Sequence, residues 1–211
     1  EKALNPEIPA FAARRLGRNV KWTATRSEAF LTDFQARDHM FTGELALDEK
    51  GHFLGLRVRA DWRHGAYIAS RSVWVMAHFL AQVMGGGYRM PTAYLNQRGV
   101  VTNTAPMGAY RGIGRLEINY VLERLIYQAA HETGIDPLTL RQRNLLSDTD
   151  LPWTMPGGAL ITTGEFSNNL ARAVELADWH GAPERAKAAG TMGRLHGIGM
   201  GMYAENDGST Q

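Results

Sequence analysis

Between Thr102 and Glu117 the chain reads Thr-Asn-Thr-Ala-Pro-Met-Gly-Ala-Tyr-Arg-Gly-Ile-Gly-Arg-Leu-Glu, a polar, proline-broken loop that delivers one arginine, Arg111, to the start of an amphipathic segment. Gly108, Gly112 and Gly114 bracket that arginine. Glycine lets the backbone take positive φ or come close to something large. Helix N-termini behind glycine-rich loops present unpaired N–H groups that suit phosphates and other anions. The residue types therefore describe a cradle for an anion or cofactor with a guanidinium in it. By spacing alone, a tight loop-to-helix turn explains the three glycines equally well.

Other candidate chemistry is weaker. His39, His52, His64, His78, His131, His180 and His196 are scattered, and no pair has the i, i+4 spacing of a helical zinc site. No Gly-x-Ser-x-Gly nucleophile elbow occurs, and Gly85-Gly-Gly-Tyr88 lacks the lysine of a phosphate loop. Asp61-Trp-Arg-His-Gly-Ala-Tyr67 closes a strand with polar and aromatic groups that could line a pocket at a sheet end, although a structural turn is the commoner use. Trp22, Trp62, Trp74, Trp153 and Trp179 read as core and lid residues rather than a base-stacking platform. Arg14, Arg15 and Arg18 fall on the solvated side of an amphipathic helix.

Composition bounds the function classes. The 211 residues can build one good core or two small ones. A hydrophobic content of 44% with 21% charged residues is that of an ordinary globular chain. The net charge of +2 gives no basic stripe for nucleic acid, although the pI is 9.0. No apolar run approaches the roughly 18–20 residues of a membrane span. Cysteine is absent, which excludes disulfides, thiol nucleophiles and any cysteine-held zinc or iron–sulfur site on this chain, and fits a reducing compartment. The ends, Glu1 and Gln211, read as cuts in a longer protein.

These residues must be positioned by the elements around them. Asn5-Pro6 predicts a helix start, with Ile8, Phe11, Ala12 and Leu16 as its apolar stripe and Gly17 as its stop. Val20–Thr25 alternates as a strand should. His39–Leu47 and Phe53–Trp62 are two strands joined by Asp48-Glu-Lys-Gly51, a hairpin. Ser70–Met84 is expected to be helical and Tyr94–Thr102 a strand. Arg115–Glu132 is the clearest helix, with Ile118, Val121, Leu122, Leu125, Ile126 and Ala129 on one face and Gly134 as its stop. Pro137–Leu145 follows behind Asp136 as N-cap. Leu151–Thr163 is rich in Pro, Gly and Thr and reads as a linker. Phe166–Asp178 and Pro183–Ala189 are expected helices, and Leu195–Ala204 a strand. Interspersed helices with hairpins give an α+β class. The organisation read from this is residues 1–150 as one domain part, 151–165 as a linker and 166–211 as the start of a second.

Taken together, the segments resemble the molybdenum-binding large subunit of the xanthine dehydrogenase/aldehyde oxidase family of molybdenum hydroxylases. The resemblance runs in order along nearly the whole chain. Ala12-Ala-Arg-Arg-Leu-Gly-Arg18 with Val20-Lys-Trp22 resembles the helix and strand after the family's Gly-Gly-x-Phe-Gly motif, and Arg26-x-Glu28 the next element. His64-Gly-Ala-Tyr67, Thr102-Asn103 and Ala109-Tyr-Arg-Gly-Ile-Gly114 resemble its loop against the molybdenum centre, and Asp136-Pro-Leu-x-Leu-Arg-x-x-Asn144 the following helix. The resemblance implies an α+β fragment of the molybdopterin-binding region and a molybdopterin cofactor with molybdenum, as the cytosine dinucleotide in bacteria. It implies hydroxylation of an activated carbon with oxygen from water. Electrons would pass to [2Fe-2S] and FAD centres on an iron–sulfur small subunit and an FAD-binding medium subunit, in the bacterial cytoplasm. Ala109, Tyr110, Arg111 and Gly112 would bind the cofactor, Arg111 acting catalytically, with Phe79 and Ile113 in the substrate pocket.

Departures from the family narrow the substrate. The carbon monoxide oxidising branch carries Cys-Ser-Phe after Tyr-Arg, its cysteine holding copper; Gly112, Ile113 and Gly114 stand here, which disfavours copper chemistry. The loop instead resembles the Ala-Tyr-Arg-Gly-x-Gly-Arg branch grouped by name with carbon monoxide dehydrogenases. Where purine hydroxylases place a glutamate, an arginine and an aromatic, Ala3, Phe79 and Ile113 stand. An apolar pocket would leave purine polar groups unpaired at about 1–3 kcal/mol each, which favours an aldehyde or an N-heteroaromatic. The Gly-Gly-x-Phe-Gly motif and the family's catalytic glutamate are expected outside this chain. A non-catalytic assembly or binding module retaining the fold is the alternative.

Overall fold

The computed structural model describes residues 7–68 and 72–204. Two short helices come first, α1 (Glu7–Leu16) and α2 (Arg26–Thr32). Gly17 ends α1 at φ +64°, as expected, but the stripe Ile8, Phe11 and Leu16 is exposed rather than packed. Asn5 and Pro6 lie outside the described residues. The expected strand at Val20–Thr25 does not form. Its alternation finds no ladder, and the segment runs as extended chain into Thr25, the N-cap of α2. There Thr25 Oγ1 accepts from Glu28 N–H at 3.2 Å while the Glu28 carboxylate accepts from Thr25 N–H at 2.7 Å, a closed capping box.

The sheet is built on the hairpin. Strand β1 (His39–Leu47) pairs antiparallel with β2 (Phe53–Gly65), with the expected Asp48–Gly51 turn between them. Asp48 accepts from Lys50 and His52 N–H at 2.9 and 2.8 Å, and Gly51 takes φ +80°. Helix α3 (Ser72–Gln82) then crosses over to β3 (Ala93–Val101), which lies parallel to β2 and makes β2 the central strand. Helix α3 is shorter than Ser70–Met84, and Ser70 lies outside the described residues.

Along β2 the pleat sends Leu56, Val58, Ala60 and Trp62 inward and Leu54, Arg57, Arg59 and Arg63 outward. The inner face is covered by Met76 and Leu80 of α3 and by Ile118, Leu122 and Ile126 of α4 (Arg115–Thr133). The outer face is a lattice of exposed charges in which Arg98 meets Asp61 at 3.0 Å and Arg63 meets Asp38 at 3.5 Å. Such solvated pairs add little stability.

Helix α4 ends at Gly134, φ +72°, and α5 (Pro137–Asn144) starts behind Asp136, whose carboxylate accepts from Thr139 N–H at 2.8 Å. Leu138 and Leu140 are buried. Asn144, also buried, accepts from Phe53 N–H at 2.8 Å and donates to the Gly51 carbonyl at 2.8 Å, so the end of α5 clamps the hairpin turn. Arg141 is fully buried against Glu123 of α4, at 3.1 and 2.7 Å from one carboxylate oxygen. The other oxygen accepts from the Tyr88 hydroxyl at 2.7 Å.

The segment read as a linker carries a small hairpin, β4 (Trp153–Thr154) with β5 (Leu160–Ile161), and its Met155 is buried. A Cβ at Gly157 would run into the Ala81 carbonyl, so this hairpin sits against the end of α3. Helices α6 (Phe166–Leu176) and α7 (Ala182–Thr191) follow as expected, with Leu170 in the core. Leu195–Ala204 is not a strand. Its polar contacts run to side chains instead, Met200 N–H donating to the Tyr127 hydroxyl at 2.7 Å and Arg141 donating to the Met200 carbonyl at 3.4 Å.

Candidate functional site

The ends of β2 and β3 hold the Thr102–Gly114 loop by its backbone. Thr102 N–H donates to the Gly65 carbonyl at 3.0 Å, and Gly65 N–H donates back to Thr102 Oγ1 at 3.2 Å. Ala66 N–H donates to the Thr104 carbonyl and Met107 N–H to the His64 carbonyl, at 3.0 and 2.9 Å. On the other side Gln35 brackets the loop, receiving Gly108 N–H at 2.9 Å and donating to Pro106 at 3.1 Å. Met107 is fully buried, and Gly108 leaves no room for a Cβ against Phe34. The polar burst at Asp61–Tyr67 is thus a strand end that receives the loop. Gly65 is required there at φ +79°, because a Cβ would run into the Ala105 carbonyl.

The exit of the loop takes three successive positive φ values: Gly112 at 95°, Ile113 at 31° and Gly114 at 78°. For a β-branched residue such as Ile113 this conformation is strained, and it persists only where the surroundings enforce it. Gly114 supplies the enforcement: its Cα lies so close to α3 that a Cβ would run into the Met76 carbonyl. Gly114 is also the N-cap of α4 and offers no capping side chain; Arg115 N–H donates to the Gly112 carbonyl at 2.9 Å, and the next N–H groups receive no side-chain cap.

Between these fixed points the loop presents Tyr110 and Arg111. Both are exposed, and the Arg111 guanidinium makes no hydrogen bond or ion pair with any described residue. Ala109 and Gly112, the other residues expected to bind a cofactor, lie on the same turn and are half-buried. Ile113 packs on the edge of the core. Phe79 of α3 meets the loop exit through Arg115, whose guanidinium stacks 4.0 Å over the Phe79 ring. The apolar wall expected from Phe79 and Ile113 therefore carries a cation on it. Ala3 lies outside the described residues.

Arg37, His39 and Glu117 were not singled out by spacing, yet all three underlie this loop. The Arg37 guanidinium donates to the Arg111 carbonyl at 2.5 Å, lies 4.6 Å over the Tyr110 ring and comes within 4.0 Å of the Glu117 carboxylate. His39 packs 4.2 Å from the Trp62 ring, with Nε2 3.2 Å from Met107 Sδ and Nδ1 3.7 Å from Glu117. Burial lowers its pKa to about 4 against the pull of Asp38, with smaller downward pushes from His64 and Arg37. The ring is therefore neutral at pH 7, and it faces Glu117 as imidazole, not as an ion-pair partner. The signal that could have found these residues is the Arg37-Asp-His39 run of polar groups entering a strand, but only tertiary contact joins it to the loop.

Chemically the loop is a donor surface: a guanidinium with no counter-charge among the described residues, a phenol and a helix start without a side-chain cap. It suits a large, anionic group rich in hydrogen-bond acceptors. Among the described residues no cluster of three or more His, Asp or Glu could hold a metal ion. No helix among them is long and apolar enough to cross a membrane. A separate 720 Å³ groove between β1 and α4 is lined by Phe41, Tyr120, Arg124, Tyr127 and His131, and shares His39 with the contacts under the loop.

Comparison with known proteins gives a consistent picture. The pattern of the molybdopterin cofactor-binding domain matches residues 5–145. The gamma subunit of the 6-hydroxypseudooxynicotine dehydrogenase complex of Paenarthrobacter nicotinovorans is 34% identical over 95% of this chain and 26% of its own length. The carbon monoxide dehydrogenase large chain of Hydrogenophaga pseudoflava is 32% identical over 90% of this chain and 24% of its own. The crystal structure of quinoline 2-oxidoreductase from Pseudomonas putida 86 superposes with a TM-score of 0.79 at 30% identity, covering 88% of this chain and 24% of that one. The chain thus spans about a quarter of the length of the relatives it matches.

Proposed function

This chain belongs to the molybdopterin cofactor-binding domain family, whose relatives include large subunits of molybdenum-dependent oxidoreductases, and on that premise we propose that it forms part of the cofactor and substrate site of a molybdenum hydroxylase. The observation that carries the reading is the Arg111 guanidinium, held out on a loop stitched to two strand ends and a helix start yet left without a partner among the described residues. An exposed guanidinium fixed on a constrained turn is placed to donate paired hydrogen bonds to an anion.

In this reading Arg111 and Tyr110 donate hydrogen bonds to a molybdopterin cytosine dinucleotide cofactor, with the backbone of Ala109 and Gly112 close against it. When bound, that cofactor supplies a two-electron oxidation that places water-derived oxygen on carbon. The role of Arg111 is electrostatic: a fixed positive charge, unable to deprotonate, that stabilises negative charge beside it. Ile113 and Phe79 shape the substrate wall, with the Arg115 guanidinium stacked over the Phe79 ring. The substrate class is an N-heteroaromatic compound or an aldehyde. Nicotine and quinoline in the names of two relatives favour the former. Gly112-Ile-Gly114 offers no copper ligand. Proton abstraction is assigned to a carboxylate elsewhere in the intact subunit. This stretch has no cysteine, so the electron-accepting iron–sulfur centres are assigned to another domain or to a partner subunit, beside one that binds FAD, in a bacterial cytoplasm.

The test is metal and nucleotide analysis of the full-length protein, expressed with cofactor-assembly machinery. Near-stoichiometric molybdenum with cytidine monophosphate released by acid is the expected result. Neither, in a host that loads a control hydroxylase, overturns the reading in favour of a non-catalytic module that keeps the fold.

A further inference from the structure

We propose that Arg37 is a positioning residue that fixes Tyr110 and Arg111, with Glu117 as its counter-charge, so that Arg37 is spent within the protein and Arg111 is left for an external anion. The inference rests on the reading of Arg111 given above, and it concerns a residue whose guanidinium is engaged by groups of the protein itself.

Arg37 occupies φ +63°, a left-handed conformation that non-glycine residues adopt at a cost and keep only when several contacts enforce it. The enforcing contacts all lead to the site. The guanidinium donates to the Arg111 carbonyl, covers the Tyr110 ring and reaches the Glu117 carboxylate in the first turn of α4. The backbone bonds of the exposed turn are otherwise local. Ile113 N–H donates to Tyr110 and Arg115 N–H to Gly112, while the bonds from Gln35 stop at Gly108. Arg37 is thus the hydrogen-bonding tie, among the described residues, from the middle of the turn to the rest of the fold.

Charge makes the same division. Arg37 and Arg111 are joined through the carbonyl of one by the guanidinium of the other. Glu117 is largely buried and has one carboxylate oxygen without a hydrogen-bond partner, while the other faces Arg37 and neutral His39. Its negative charge is placed to compensate Arg37. A carboxylate paired with Arg111 instead would cancel the charge the site presents.

The experiment is hydrogen–deuterium exchange on the full-length protein, with and without bound cofactor, comparing Arg37→Met, Arg37→Lys and a surface control, Arg57→Met. Arg57 lies on the outer sheet face, paired with Glu44. Losing a charge-assisted bond to the turn should speed exchange of the Ile113 amide, which donates to the Tyr110 carbonyl, about tenfold in Arg37→Met. Arg37→Lys, which keeps the charge and one donor, should recover most of the protection, and Arg57→Met should leave it unchanged. Unchanged exchange in Arg37→Met overturns the inference. So does faster exchange spread equally over β1, β2 and α4, which would make Arg37 a general stability residue. An Arg111→Met protein with full cofactor content and activity would instead overturn the functional reading, and the exchange result would stand apart from it.

Discussion

Arg111 and Arg141 sit in two motifs that resemble the same enzyme family, and the fold uses them in opposite ways. Arg141 is fully buried. It donates to Glu123 through Nε and Nη2 and to the Pro137 carbonyl at 2.9 Å, and it stacks 4.4 Å over Tyr127. Around it the Tyr88 hydroxyl, pushed well above its ordinary pKa by burial and the neighbouring Glu123 charge, stays protonated and donates to Glu123. Arg111 is exposed, and its guanidinium has no partner among the described residues. A buried guanidinium must have its charge and donors satisfied from within. An exposed one on a rigid turn keeps its donors for a ligand. The two motifs are equally visible as strings of residues, but one is architecture and the other, in the function proposed above, is a site.

The comparison breaks first if Arg141→Met is tolerated. Removing it strands Glu123 in the core, and the expected loss is about 3–5 kcal/mol of stability, read by denaturant or thermal unfolding of the full-length protein. A loss below about 1 kcal/mol would mean that Glu123 finds water or another partner. Arg111→Met should show the reverse signature. Its unfolding transition should stay within about 0.5 kcal/mol of the parent, while turnover of the loaded enzyme falls about 10²–10³-fold. Equal stability costs for the two variants would erase the distinction.

Acid should sharpen it. His39 is neutral in the fold, with its pKa lowered to about 4 from an ordinary 6.5. Between those values the unfolded chain binds the extra proton, so stability is complete above about pH 6.5 and is lost as pH falls toward 4, by up to about 3 kcal/mol. Unfolding midpoints followed from pH 7 to 4 should fall, and His39→Gln should flatten that slope. The smallest expected effect is Asp136→Ala. The loss of the N-cap to Thr139 should cost about 1 kcal/mol, without changing cofactor content.

Much of the fold was legible in the residues. The hairpin at Asp48–Gly51, the helices behind Gly114 and Asp136 and the stop at Gly134 all follow from caps, turns and periodicity that act within a few residues. The failures share one cause. Val20–Thr25 and Leu195–Ala204 alternate like strands, but a strand needs a neighbouring edge, and no local pattern reports whether one is free. The α1 stripe has helical spacing without a packing partner among the described residues. Within the site, the loop and Arg111 stood out by type and spacing. Arg37, more than seventy positions earlier in the chain, did not, since nothing local ties it to Arg111.

The sequence by itself therefore determined where the chain turns, caps and exposes a guanidinium, because those choices are made by short-range sterics and hydrogen bonds. Only the tertiary structure decided which arginine is consumed by the core and which is left exposed on the loop. That choice depends on which charges burial brings together across long stretches of chain: Glu123 against Arg141, Glu117 against Arg37, and, among the described residues, no carboxylate against Arg111.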